Sequence, residues 1–168
     1  MEKIVIIING AGGAGKDTLC DLAAKHYQVE NVSAITPIKD IARNCGWNGE
    51  KDAKSRKFLS DLKRAFIEYN DLPTKYLFAQ YEKFLESKNQ ILFVQIREKD
   101  EIEKFKKLVT ISCRTLLVDR QNINVEKWGN ASDDEVRNYQ YDLYFKNDRS
   151  LTEIEQEFVS LLSSLING

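Results

Sequence analysis

Gly10-Ala11-Gly12-Gly13-Ala14-Gly15-Lys16-Asp17-Thr18 follows the apolar run Ile4-Val5-Ile6-Ile7-Ile8 and opens onto a helical pattern. Strand, glycine-rich loop and helix in that order make a phosphate-binding P-loop. The glycines let the backbone turn tightly with consecutive N–H groups pointing inward, the helix adds its positive end, and Lys16 brings an ammonium to the β- and γ-phosphates. A polyphosphate nucleotide is the expected ligand, with Gly10, Gly12, Gly13, Ala14, Gly15, Lys16, Asp17 and Thr18 as its binding residues. Most P-loops place a Ser or Thr hydroxyl for Mg²⁺ directly after the lysine; here Asp17 stands there and Thr18 follows.

Outward from the loop, residues 3 to 8 are apolar on both faces, as in a central parallel strand covered by helices. The helix after the loop carries Leu19, Leu22, Ala23 and His26 on one side. Val29 to Ser33 reads as a second strand, and Pro37 suits the first turn of a helix running to about Asn44, which Gly46 stops. From Ala53 to Tyr69, Phe58, Leu59, Leu62, Ala65, Phe66 and Tyr69 recur at helical steps and predict a long amphipathic helix with those residues inward. Asn70-Asp71-Leu72-Pro73 breaks the pattern, which resumes from Tyr76 to Leu85. Gln90 to Gln95 predicts a strand, Glu98 to Leu108 a helix, Val109 to Val118 a strand and Asp142 to Phe145 the last strand. Ser150-Leu151-Thr152-Glu153 is a capping box before a closing helix.

This alternation predicts an α/β fold: a doubly wound parallel sheet flanked by helices, with ligands at the carboxyl ends of the strands. A length of 168 residues suits a single domain, 1–168, with a helical insertion over about 36–88 and a short lid-like loop over about 119–131. Acidic and basic residues nearly balance at 26 and 25, which argues against a broad nucleic-acid surface and for a small anion as partner. The start Met1-Glu2-Lys3 and five apolar residues are too short for a secretory h-region or a membrane span, so a cytoplasmic protein without membrane partners is expected. Cys20, Cys45 and Cys113 have no metal-ligand spacing and read as reduced thiols; His26 reads as a surface or helix-end residue. The oligomeric state is not encoded legibly.

A phosphoryl-transfer site needs cations around both phosphates, so Lys39, Arg43, Arg56, Arg64, Arg97, Arg114 and Arg120 qualify by type. Arg97 follows a strand's carboxyl end, Arg64 has Asp61 within surface-pair reach, and Arg114 inside an apolar segment calls for an anionic partner, ATP or a structural Asp. Asp17 has three open roles: holding Mg²⁺ directly, holding it through water, or orienting an acceptor group while Thr18 bonds a phosphate. The strand Ile91–Gln95 ends without the Asp that often serves Mg²⁺ in P-loop proteins.

The Gly-Lys-Asp-Thr end of the loop, Thr36-Pro37-Ile38-Lys39, an Arg-bearing helix and Arg97 just after a strand together resemble the deoxynucleoside monophosphate kinases and their P-loop relatives. Asn130-Ala131-Ser132-Asp133-Asp134-Glu135 and the stretch Tyr141-Asp142 to Asn147-Asp148-Arg149-Ser150-Leu151 extend the similarity, although Ala131 and Arg149 depart from the family pattern. The resemblance implies a P-loop NTPase fold of the nucleoside monophosphate kinase type, with ATP and Mg²⁺ as cofactors. It places Lys39 on the acceptor monophosphate and Arg43, Arg64 and Arg97 on the acceptor side. Lys16, Asp17 and Arg97 become the catalytic set, Arg114 and Arg120 donor-side or lid arginines, and Asp17 and Thr18 the metal-side residues. The expected function is phosphoryl transfer from ATP to a nucleoside or deoxynucleoside monophosphate. The alternatives are a kinase for another small metabolite, such as a dephospho-coenzyme A-like acceptor, and a nucleotide-binding module without transfer activity that docks through Trp47 or Trp128.

Overall fold

The computed structural model describes residues 2–120 and 136–168. Strands β1 (Ile4–Asn9), β2 (Val29–Ser33), β3 (Ile91–Gln95), β4 (Cys113–Asp119) and β5 (Leu143–Lys146) form one sheet in the order β2-β3-β1-β4-β5. Every pairing is parallel. Helices α1 (Lys16–Ala24), α2 (Thr36–Asn44), α3 (Ala53–Asn70), α4 (Leu72–Glu86), α5 (Lys99–Leu108) and α6 (Leu151–Asn167) flank it. This is the doubly wound α/β arrangement expected from the alternating pattern.

The unbroken apolar run of β1 has a direct cause: all six of its residues are buried, because helices cover both faces of the sheet. Ile4, Ile6 and Ile8 pack with Leu19 of α1 and Ile154, Phe158 and Leu162 of α6. Val5 and Ile7 point the other way, into a core with Tyr81 and Phe84 of α4 and Ile102 and Phe105 of α5. The connection from β1 runs to β2 on one side of the sheet and that from its neighbour β3 runs to β4 on the other, so a crevice opens at the carboxyl ends of β1 and β3. The P-loop occupies that point.

Local signals explain most boundaries. Ser150 and Glu153 form the expected capping box at the start of α6. Asp52 caps α3 by accepting from the Ser55 amide at 2.7 Å. The break between α3 and α4 is a single residue: Asp71 adopts φ 57°, and α4 begins at Leu72 rather than near Tyr76, with Pro73 in its first turn, where a missing N–H costs nothing. The expected inner face of α3 is also corrected. Tyr69 is 84% exposed and Phe58 40% exposed, whereas Lys63 is buried, because that face of α3 meets a carboxylate of α5. Among the described residues no helix is long and apolar enough to cross a membrane. Residues 121–131 of the lid-like loop, together with Trp128 and the stretch Asn130–Glu135, lie outside the described residues.

Candidate active site

Gly13 at φ 82° and Gly15 at φ 91° supply the left-handed turns that wrap the loop between β1 and α1. A Cβ on Gly10 would sit 2.6 Å from the Val118 carbonyl oxygen, so the first glycine is required by the close approach of β4. The far side of the loop is pinned from β5's end: Asn147 Nδ2 donates to the Ala14 carbonyl at 2.7 Å, and the Asn147 amide donates to the Asp119 carbonyl at 2.7 Å. Lys16 Nζ donates to the Gly10 carbonyl at 2.6 Å, which folds the ammonium back over the loop. The lysine thus lies where a phosphate chain would enter.

The root of the loop hangs on Asn9, the last residue of β1, which is fully buried. Its Oδ1 accepts from the Gly10 amide at 2.9 Å, and its Nδ2 donates to the Arg97 carbonyl at 3.0 Å and to the Tyr141 hydroxyl at 2.9 Å. Tyr141 passes the bond on by donating to the Val136 carbonyl at 2.7 Å, and burial pushes its phenol up to about 12, so it stays a neutral donor. A buried carboxamide with all these bonds satisfied fixes the loop and Arg97 relative to each other.

Asp17, in the first turn of α1, does not stand alone. Asn31 of β2 and Gln95 of β3 each donate to its Oδ1, at 3.1 and 2.6 Å, and Gln95 Nε2 also donates to Asn31 Oδ1 at 3.0 Å. β3 therefore ends in an amide, as its sequence says, and that amide holds a carboxylate supplied by the helix next door. Asp17 is exposed at the mouth of the crevice, and Oδ2 receives neither amide.

The cations separate into groups. Lys39 of α2 is half-buried, and its pKa is lowered, first by burial and then by Arg43, Lys51 and Arg97, with Asp17 acting in the opposite direction. Lys39, Arg97 and Asp17 therefore share one electrostatic neighbourhood. Arg97 lies over the loop, its Nη2 4.0 Å from where a Cβ on Gly12 would be. Arg43 stands beside this group but is exposed, 3.5 Å from Asp40 and stacked over Trp47 at 5.2 Å. That contact also engages Trp47, whose indole donates to the Glu50 carbonyl at 3.1 Å.

Arg114 is a correction. It pairs in register with Ile6, near the amino end of β4 and three residues short of the level of Asn9, where the loop begins, and it is exposed with Nη1 donating to the Cys113 carbonyl at 3.0 Å. β5 joins β4 only from Leu116 onward, so the apolar segment leaves Arg114 in solvent and no buried anion is needed. Arg64 is exposed on α3 with Asp61 as its charged neighbour, and the adjacent Lys63 turns inward instead, 2.6 Å from Glu101 and 3.8 Å from Glu98. Arg120 is exposed one residue beyond β4. His26 pairs with Glu155 at 2.8 Å, and the three cysteines are free thiols.

Among the described residues, no group of three or more His, Cys, Asp and Glu side chains could hold a metal. The donor set at the loop, the Asp17 carboxylate and the Thr18 hydroxyl, fits a hard cation that keeps most of its shell from phosphate oxygens and water, as Mg²⁺ does. Asn9, Asn31, Gln95 and Asn147 are the site residues that sequence reasoning missed. The one available signal was a polar residue closing each apolar strand: Asn9 after Ile4–Ile8 and Gln95 after Ile91–Val94.

No family model matches the chain, and no curated protein matches it in sequence. Solved structures do match in shape. The APS kinase of Mycobacterium tuberculosis, in complex with AMPPNP and APS, is 16% identical, with 96% of this chain and 98% of that one covered at a TM-score of 0.56. The dephospho-CoA kinase of Campylobacter jejuni is 14% identical, with 100% and 99% covered at 0.56, and the shikimate kinase of Aquifex aeolicus is 14% identical, with 99% of each chain covered at 0.50. These neighbours are P-loop kinases, and at such identities the likeness is one of fold.

Proposed function

We propose that this protein transfers the γ-phosphoryl group of ATP to a small acceptor carrying an anionic group. The observation that carries the reading is the cation pair Lys39 and Arg97 beside a complete P-loop, since one phosphate cradle and a second cationic pocket are what two anionic substrates require. Backbone amides of residues 12–18 hold the donor, Lys16 neutralises the γ-phosphoryl, and Lys39 and Arg97 place the acceptor in line for direct transfer. Asp17 and Thr18 are the residues that would hold Mg²⁺, which when bound would offset the phosphate charge. The stretch 36–88 serves as the acceptor-side insertion of a single kinase domain.

Nucleoside and deoxynucleoside monophosphates are the first acceptors to test, because the Pro37-x-Lys39 placement suits an acceptor phosphate. A different small metabolite, dephospho-coenzyme A-like in bearing both a hydroxyl and a phosphate, is the second reading, and the braced carboxylate of Asp17 favours it. The test is ADP release from ATP and Mg²⁺ with each acceptor in turn, with Lys16→Ala as the blank. Acceptor-dependent release by wild type alone supports the kinase. Equal turnover by Lys16→Ala rules the mechanism out, and ATP binding without release across the panel points to a nucleotide-binding module.

A further inference from the structure

We infer that the outer face of α3 joins two copies of this chain into a two-fold dimer, with α3 of one copy lying antiparallel along α3 of the other. The dimer does not depend on the phosphoryl-transfer reading. An amphipathic surface helix turns its apolar residues toward the core and its charges toward water. Helix α3 does so only in part. Of its 18 residues only Lys63 is buried, where the pair with Glu101 fastens the helix to α5. Leu59, Phe66 and Ile67, three or four positions from Lys63 and so on its side of the helix, are half-buried. Elsewhere on the helix Phe58 and Tyr69 stand 40% and 84% exposed, Ala65 is exposed and Leu62 is half-buried. These four have no apolar layer over them.

Phe58, Leu62, Ala65 and Tyr69 follow one another at steps of four, three and four residues, so they line one edge of α3. That is the spacing of a two-helix seam, in which side chains of one helix enter the gaps of the other. The stripe complements itself when the second copy runs the opposite way. With the two-fold axis between Leu62 and Ala65, each Leu62 meets the space left by the small Ala65 of the second copy, and each Phe58 meets Tyr69. A parallel pairing sets Ala65 against Ala65 and leaves a gap there. The charges beside the stripe, Lys57, Asp61, Arg64 and Glu68, are all exposed. In the antiparallel register Lys57 falls within about 3 Å, along the axis, of Glu68 in the second copy, and Asp61 of Arg64, and the symmetry makes each pair twice. This agreement of size and charge selects a second copy of the chain as the occupant. One helix pair about 27 Å long buries an area at the low end of specific interfaces, so a reversible dimer with a dissociation constant on the order of micromolar to tens of micromolar is expected.

Sedimentation equilibrium of the full chain, from about 1 to about 200 µM, reads the outcome. The expected result is a mass that rises with concentration from 19.4 kDa toward twice that value. Ala65→Glu and Tyr69→Ser, both at exposed positions, each weaken association about tenfold or more, while their melting at high dilution matches wild type, which separates a lost contact from lost folding. Glu68→Lys alone also weakens association, and adding Lys57→Glu to the same chain restores it, because the exchanged charges meet again across the axis. A wild type that stays at 19.4 kDa throughout overturns the proposal and leaves the stripe to a different protein. A dimer that Ala65→Glu and Tyr69→Ser leave intact, an open-ended series of larger species, or a charge exchange that restores nothing overturns it as well.

Discussion

Asn147 Nδ2 occupies the space that a Cβ on Gly15 would fill, while donating to the neighbouring Ala14 carbonyl at 2.7 Å. Gly15 therefore faces two constraints, a left-handed φ of 91° and a side chain in the way. Gly13, at φ 82°, faces only the first, since nothing lies within 4 Å of its missing Cβ. Gly15→Ala is expected to cost about 1–3 kcal/mol and to weaken ATP binding at least tenfold, with Gly13→Ala nearer the lower end and milder in affinity. Thermal melts and ATP titrations check the order; equal effects at the two positions would show that Asn147 adds no constraint.

The Lys63–Glu101 pair fastens α3 onto α5 with both side chains buried, and Glu101 Oε1 has no hydrogen-bond partner. Lys63→Met leaves a buried carboxylate without its counter-charge and should cost about 3–5 kcal/mol at neutral pH. Burial raises the Glu101 pKa even with the lysine present. Between the ordinary carboxylate pKa and that raised one, the folded protein binds more protons than the unfolded chain, so stability falls as pH rises through the window. Losing the lysine raises the Glu101 pKa further. The deficit of Lys63→Met relative to wild type should therefore shrink as pH is lowered from about 7 to about 5, read by urea melts.

Burial and the cations Arg43, Lys51 and Arg97 make Lys39 lose its proton at lower pH than an ordinary lysine. An anionic acceptor binds the protonated form, so its KM should rise toward alkaline pH earlier than lysine chemistry alone would give. Lys39→Arg keeps the charge and should flatten that limb, whereas Lys39→Gln should raise acceptor KM about tenfold or more near neutral pH with ATP affinity unchanged, a difference that closes as the wild-type lysine loses its proton. A flat wild-type profile would remove Lys39 from acceptor binding.

Arg114→Ala should leave ATP affinity within about twofold of wild type and change stability by no more than about 0.5 kcal/mol, because the side chain is exposed at the far end of β4. A large loss of nucleotide affinity would return Arg114 to the donor site.

What the sequence disclosed follows from the range of the forces involved. The apolar run of β1, the glycine loop and the Ser150–Glu153 cap are local signals, each decided within a few residues, and all three appear as read. The brace on Asp17 is not local: its partners lie 14 and 78 residues away, and only the parallel register of β2 and β3 brings them together. Lys63 was hidden for a similar reason, since a lysine on a helix reads as solvated until an opposing Glu101 is known. Arg114 misled in the other direction. Its apolar neighbours suggested burial, but burial depended on where β5 begins to pair.

Asn9 joins the phosphate loop to partners 88 and 132 residues farther along the chain. During synthesis the loop residues emerge first, yet their shape waits on Tyr141, and the second clamp waits on Asn147. A nascent or truncated chain ending before β5 would carry the whole glycine motif and still lack a nucleotide site. On the proposed reading, nucleotide binding thus arrives late in folding and reports on a finished molecule.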